Sequence, residues 1–252
     1  FNDYAMSYNA NINVSGGTKF VKYFASADYV NEGDLFKLYP NNRGYESGYG
    51  YDRINVRSNL DFKITNTTTL KVNLAGSSAR RTAPTMNSTN DIWQIQQQWA
   101  GAYNIAPDVF LPVYSDGAWG YYPNISNVTN SAQNLSVGGR FETTTNRINT
   151  DFTLEQDLSF ITEGLSAKLI YAYDYHNTTQ EERSRGINYF QATGRDESGE
   201  LLLTEWQADA AQDYLGYKQT SSGSRDQYAE LTINYARKFG KHDVGALVMG
   251  FA

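Results

Sequence analysis

Arg53 to Ile64 reads RINVRSNLDFKI, and the alternation in these twelve residues decides the fold. Ile54, Val56, Leu60, Phe62 and Ile64 share one parity, interrupted only by Ser58; Arg53, Asn55, Arg57, Asn59, Asp61 and Lys63 occupy the other. A β-strand turns successive side chains to opposite faces, so the stretch has one apolar and one charged face. A typical strand is about 5–6 residues long. A tilted strand that crosses the hydrocarbon layer needs about 9–11 residues, and this one is long enough.

The same pattern recurs along the chain. Tyr8, Ala10, Ile12 and Val14 alternate with asparagines and Ser15, and Gly16-Gly17-Thr18-Lys19 signals a tight turn into Val21 to Tyr29. Thr65-Asn66-Thr67-Thr68 turns the chain into Leu70, Val72 and Leu74. Ile148, Phe152, Leu154 and Leu158 form one apolar set, opposed by Arg147, Asn149, Asp151, Glu155 and Asp157. Leu165 to Tyr175 and Gln227 to Lys238 are further alternating strands; Asp243 to Phe251 is a last one whose facing the pattern leaves open. Between them lie loops at about 31–50, 78–139 and 177–224. A short helix is expected over Asp91 to Ala102, and a small hairpin is expected around Asp196-Glu197-Ser198-Gly199. About eight long strands are therefore joined by alternately short and long connections. Up-and-down outer-membrane barrels show this asymmetry, whereas a sandwich shows turn signals every 8–12 residues or so. The expected fold is all-β: an antiparallel up-and-down transmembrane β-barrel segment filling 1–252 as one partial barrel domain.

Composition narrows the function. With no cysteine there is no disulfide framework or thiolate metal site. A net charge of −6 without a basic stripe argues against nucleic acid. His176 and His242 lack partners at metal-ligand spacing, so neither a metal nor a cofactor is expected. Glu181 and Glu182 point to opposite faces of a strand, and Glu155 and Asp157 sit on a wetted one, so no acid–base pair for catalysis emerges. The chain reads as a non-enzyme. Arg53, Arg57, Asp61, Lys63, Arg147, Asp151 and Glu155 are the candidate lumen-facing residues, on either a substrate path or a hydrated wall. Among the 20 tyrosines, Tyr173 and Tyr175 suit an interfacial aromatic girdle. Trp93, Trp99, Trp119, Tyr121 and Tyr122 cluster in the longest loop as candidate substrate contacts, with loop anchoring as the alternative role.

Several motifs resemble the SusC/RagA-like TonB-dependent outer-membrane transporters of Bacteroidetes. They are Asn11 to Gly33 with its Ser-Gly-Gly turn and Asn-Glu-Gly exit, and Tyr51 to Gly76 with Arg-x-Asn-x-Arg-Ser-Asn-Leu. Pro107 to Gly120 and Gly164 to Tyr175 complete the set. The resemblance implies a location in the cell outer membrane, against its lipid, and uptake of glycan oligomers or peptides. It also implies a SusD-like surface lipoprotein as partner, and TonB acting through a plug. Members of that family are several times longer, so the chain is expected to be a barrel-wall segment without the plug. Two alternatives remain at this stage: a small complete outer-membrane barrel with an adhesin or structural role, and a soluble carbohydrate-binding β-sandwich.

Overall fold

A computed structural model describes the chain apart from residues 42, 86–90, 107, 122–129, 187 and 207–214 and the side chains of residues 91–95 and 97. Among the described residues, ten strands and two helices follow one another: β1 (Ser7–Gly17), β2 (Val21–Glu32), β3 (Gly50–Lys63), β4 (Thr68–Pro84), α1 (Asp91–Asn104), α2 (Ser131–Val137), β5 (Gly139–Asp157), β6 (Leu165–Ser184), β7 (Tyr189–Arg195), β8 (Leu201–Trp206), β9 (Gly216–Phe239) and β10 (His242–Phe251). Eight of them form one sheet in the order β1-β2-β3-β4-β5-β6-β9-β10, every pair antiparallel, and β7-β8 is a separate hairpin.

The short connections follow from local chemistry. Between β1 and β2, the Thr18 hydroxyl accepts the N–H groups of Phe20 and Val21. Between β9 and β10, Phe239 pairs directly with His242, and Gly240 takes a positive φ of 61°. All four tight turns lie along one edge of the sheet. The long connections, 33–49, 85–138 and 185–215, lie along the other.

Register places the apolar parities on one face. Directly opposed residues share a face, so one row runs Gly16, Tyr23, Leu60, Val72, Phe152, Tyr171 and Ala229. A parallel row runs Val21, Phe62, Leu70, Leu154, Leu169 and Leu231. The apolar band does not follow these rows. Tyr8, where the apolar set of β1 begins, is in register with Ser221, yet the apolar set of β9 begins at Ala229, eight residues further on. At the other margin Gly16 is in register with Ala229, while the apolar set of β9 extends to Tyr235, six residues beyond. At ~3.4 Å per residue and ~4.8 Å per strand, these offsets tilt the band by roughly 35–45° to the rows. The turn-bearing edge descends in the same sense. A level apolar belt crossing tilted strands produces this pattern, and transmembrane barrels tilt their strands by about 35–45°.

No second layer covers that face among the described residues. Ile54 is 48% exposed, Phe152 39% and Leu231 50%, and Leu60 is half-buried. The accessible surface is 16526 Å², against about 11,000 Å² for a folded soluble monomer of this mass. A sandwich would bury these side chains between sheets, so that alternative is ruled out. The small closed barrel fails as well, because β1 and β10 are unpaired with each other and form the two edges of an open sheet. What apolar burial there is sits at the loop-bearing end, in Ala83, Tyr114, Leu135 and Val137.

The strands run further toward the loops than the alternation indicates. β4 continues to Pro84, β5 starts at Gly139, β6 continues to Ser184 and β9 starts at Gly216. These extensions, such as Thr143-Thr144-Thr145-Asn146 and Thr220-Ser221-Ser222, are polar on both parities, so they carry no period-2 signal. α1 and the β7-β8 hairpin lie where expected; α2 falls in a stretch read as loop. On β10, Val244, Ala246 and Val248 join the apolar face, and Leu247, Met249 and Phe251 lie on the other.

Candidate functional site

Two regions carry the polar chemistry: the second face of the sheet and the loop-bearing end. All seven sequence-predicted wall residues, Arg53, Arg57, Asp61, Lys63, Arg147, Asp151 and Glu155, fall on the polar face. They do not form one cluster.

Near the tight turns, the charges neutralise one another. Lys22, Asp61 and Lys71 stand in one row, and Glu155 and Lys168 in the next. Lys71 Nζ lies 2.7 Å from Glu155 Oε1, and Lys168 Nζ lies 3.6 Å from Glu230 Oε1. Exposed pairs of this kind contribute little individually, about 0–1 kcal/mol. They nevertheless leave Glu155 and Glu230 engaged with the sheet itself. Higher up, Asn55 donates to Asp28, Asn149 Nδ2 donates to Asp174 Oδ1 at 2.6 Å, and Arg57 Nε donates to Asn59 Oδ1 at 3.3 Å.

At the loop-bearing end, α2 organises its surroundings. Asn130 caps it, its Oδ1 accepting the Gln133 N–H at 3.1 Å, while its Nδ2 donates to the carbonyls of Pro112 and Gly120 at 2.8 and 2.9 Å. The last turn of α2 leaves carbonyls without helical partners, and the β2–β3 connection supplies donors to that segment at every second residue. The Tyr39 N–H reaches Ser136 Oγ at 2.9 Å, and Asn41 Nδ2 reaches the Ser136 carbonyl at 2.7 Å. Arg43 and Tyr45 both donate to the Val137 carbonyl, at 3.2 and 3.3 Å, and the Ser47 hydroxyl donates to that of Gly139 at 2.6 Å. Sequence reading missed this comb. Its alternation of Tyr39, Asn41, Arg43, Tyr45 and Ser47 is visible in the chain, but no apolar residues mark it as structured. The same residues, with Arg140, line an open pocket of about 740 Å³. Nearby, burial pushes the Asp34 carboxyl above its ordinary value, opposed by the N–H groups of Phe36 and Tyr49 that it accepts.

The loop aromatics separate into groups that pack on protein. Trp99 stacks on Phe1 at 4.7 Å and Tyr103 at 5.9 Å and meets the edge of Phe36 at 6.1 Å. Trp119 meets Tyr39 edge-on at 6.0 Å. Tyr121 lies 5.2 Å from Tyr189 and 6.3 Å from Trp206, and burial raises the pKa of the Tyr189 phenol. The Trp93 side chain and Tyr122 lie outside the described residues. Trp99, Trp119 and Tyr121 thus each pack against other aromatic side chains of this chain. Among the described residues, no group of three or more His, Asp or Glu side chains is placed to hold a metal ion.

The fold and its two faces define an open wall: an up-and-down antiparallel sheet, apolar on one face and polar on the other, with elaborate connections at one end only. No protein-family model and no curated protein matches the sequence. Solved structures do match the fold. A chain of the RagAB peptide transporter superposes with a TM-score of 0.59 at 15% identity, covering 97% of this chain and 24% of that one. A chain of the RagAB peptide importer in its closed-closed state gives 0.53 at 17% identity, covering 96% and 23%. At such identity the likeness is one of fold, and this chain spans about a quarter of the length of the chains it resembles.

Proposed function

We propose that this chain is part of the barrel wall of an outer-membrane, TonB-dependent nutrient importer of the SusC/RagA type. Its apolar band faces lipid, its polar face lines the lumen, and its long connections face the cell exterior. The substrates are glycan oligomers or peptides, delivered beneath a SusD-like lipoprotein that closes over the loop-bearing end. TonB acts through a plug carried elsewhere in the protein. The chain forms a passage and performs no catalysis, in keeping with structural neighbours that are transporters.

One observation carries this reading: the exposed apolar band crosses the hydrogen-bond rows obliquely, at the tilt that a level membrane belt requires. Residues 1–252 contain no cysteine that would compete for the label, and any cysteine elsewhere in the gene product is first replaced by serine. Single cysteines at Val56, Leu74, Phe152 and Leu231 carry a fluorophore, in the complete gene product within outer membranes. They should be quenched by brominated lipid and shielded from a water-soluble thiol reagent; cysteines at Arg57 and Asn73 should behave oppositely. Water-accessible labels at all six positions would overturn the proposal.

A further inference from the structure

The cations of the polar face divide by type. Each lysine but one stands in register with an acid: Lys22 and Lys71 flank Asp61, Lys168 faces Glu155, and Lys218 faces Glu182. The exception, Lys63, faces Thr69. None of the arginines on this face is opposite an acid. Arg53 stands between Val30 and Ala79, Arg57 between Ser26 and Ala75, Arg81 between Tyr51 and Thr143, and Arg147 between Ser77 and His176. Asp28 and Asp174, the acids diagonal to these arginines in register, accept hydrogen bonds from the amides of Asn55 and Asn149.

The small residues lie together. Ala75, Ser77 and Ala79 succeed one another along the polar parity of β4, forming a low floor, with Arg53 and Arg57 rising from β3 on one side and Arg147 from β5 on the other. The two flanking strands are about 10 Å apart, a span that two extended arginine side chains close from either side. Arg57 and Arg147 are exposed to solvent. Guanidinium is the group suited to bidentate binding of a planar carboxylate, and lysine is not its equivalent.

We propose that Arg53, Arg57 and Arg147, above the floor of Ala75, Ser77 and Ala79, form a binding trough for a carboxylate-bearing substrate on its way through the lumen. The proposal rests on the reading of this face as lumenal. The carboxylates are those of either an acidic oligosaccharide or an acidic peptide. The lysines paired in register with acids serve the wall, and the arginines serve the solute.

The test is calorimetric binding to the complete, detergent-solubilised gene product. The probes are hexagalacturonate against maltohexaose, and hexaglutamate against hexaserine. At least one acidic probe should bind more tightly than its neutral counterpart, and the stronger of the two identifies the source. Arg57→Gln with Arg147→Gln should weaken that binding by about tenfold to a hundredfold, the range of charge-assisted hydrogen bonds. Arg57→Lys should recover only part of it, and Lys71→Gln should leave it unchanged. If the double variant does not fold, the Arg57→Lys and Lys71→Gln pair decides by the same criterion. Equal binding of acidic and neutral probes, no binding of any probe, or indifference to the arginines would each overturn the proposal. An acidic protein segment filling the trough would show as absent binding with reduced thermal stability in the double variant, and would overturn it too. The lipid-quenching pattern reports facing independently, so a binding failure with that pattern intact removes the trough and leaves the importer reading standing.

Discussion

Leu74→Lys is the sharpest test of the lipid-facing assignment. On β4 the apolar parity begins at Leu70, and its first charge toward the loops is Arg80, which pairs with Asp52 at 3.2 Å. At a tilt of ~40° and ~3.4 Å per residue, Leu74 lies about 10 Å from Leu70 and about 16 Å from Arg80. It therefore sits near the middle of a hydrocarbon band of about 25 Å. Lysine there should cost about 2–4 kcal/mol, or about thirty- to several-hundred-fold in the folding equilibrium. Ser78→Lys, on the same parity but close to the margin, should cost about 0–1 kcal/mol. Asn73→Lys, adjacent in sequence on the opposite face, should remain within about 0.5 kcal/mol of the parent. The assay is guanidinium unfolding of the complete gene product in phospholipid vesicles, followed by fluorescence and heat-dependent gel mobility. The reasoning fails if Leu74→Lys and Asn73→Lys are equally tolerated, or if Asn73→Lys is the more damaging.

Further substitutions probe the turns and the loop-bearing end. Asn130→Ala removes the α2 cap and two bonds to loop carbonyls at a residue only 3% exposed. Local stability should fall by about 1–3 kcal/mol, read as faster amide exchange at Tyr39, whose N–H is tied to Ser136 of that helix. Gly164→Ala drives a Cβ into the Ala236 carbonyl oxygen at a position with φ +85°. It should reduce heat-stable folding, while Gly199→Ala, with an equally positive φ but open space around it, should have a smaller effect. At the hairpin tip, hydrogen bonds from Ser198 and the Glu200 N–H hold the Asp196 carboxyl below its ordinary value. The sign follows from a depressed folded-state pKa: the turn gains support above the unfolded carboxylate range and loses it as the pH falls through the folded value. Exchange protection at Ser198 and Glu200, corrected for intrinsic rates, should collapse on acidification, and Asp196→Ala should abolish that dependence.

What the chain discloses in advance depends on whether one face differs from the other. Ile54 to Ile64 announces its strand because lipid or core on one side and water on the other select opposite residue types. Where β4, β5, β6 and β9 rise beyond the band, both sides are polar, and Ser221 or Thr144 looks like loop although it lies in a ladder. β10 was unreadable for the converse reason, since Val248 and Leu247 are both apolar and only pairing with Ile233 and Asn234 tells them apart. The wall residues were identifiable as a set by parity, but their division was not. That Lys71 answers Glu155 while Arg147 answers Ser77 is a fact of register between strands some eighty residues apart. The loop aromatics were visible as a cluster in sequence, yet their partners Phe36, Tyr39, Tyr189 and Trp206 come from other connections.

The open edges set a final expectation for residues 1–252 taken alone. β1 pairs only with β2, and β10 only with β9, so each presents one row of main-chain groups without partners in the sheet. About half the residues of an edge strand direct their N–H and C=O outward, which for strands of 11 and 10 residues leaves roughly ten such pairs of groups. In hydrocarbon each unsatisfied group costs several kcal/mol, so the two edges together oppose insertion by tens of kcal/mol. Individual wall contacts of about 1 kcal/mol cannot offset that. In water the exposed apolar band opposes folding instead, so neither solvent suits the isolated segment. Refolded into vesicles, it should give no heat-resistant monomer and no discrete pore conductance, and crosslinking should recover edge-to-edge oligomers. A closed, conducting monomer would show that the sheet can satisfy its own edges, and the assignment to a larger barrel would fall with that result.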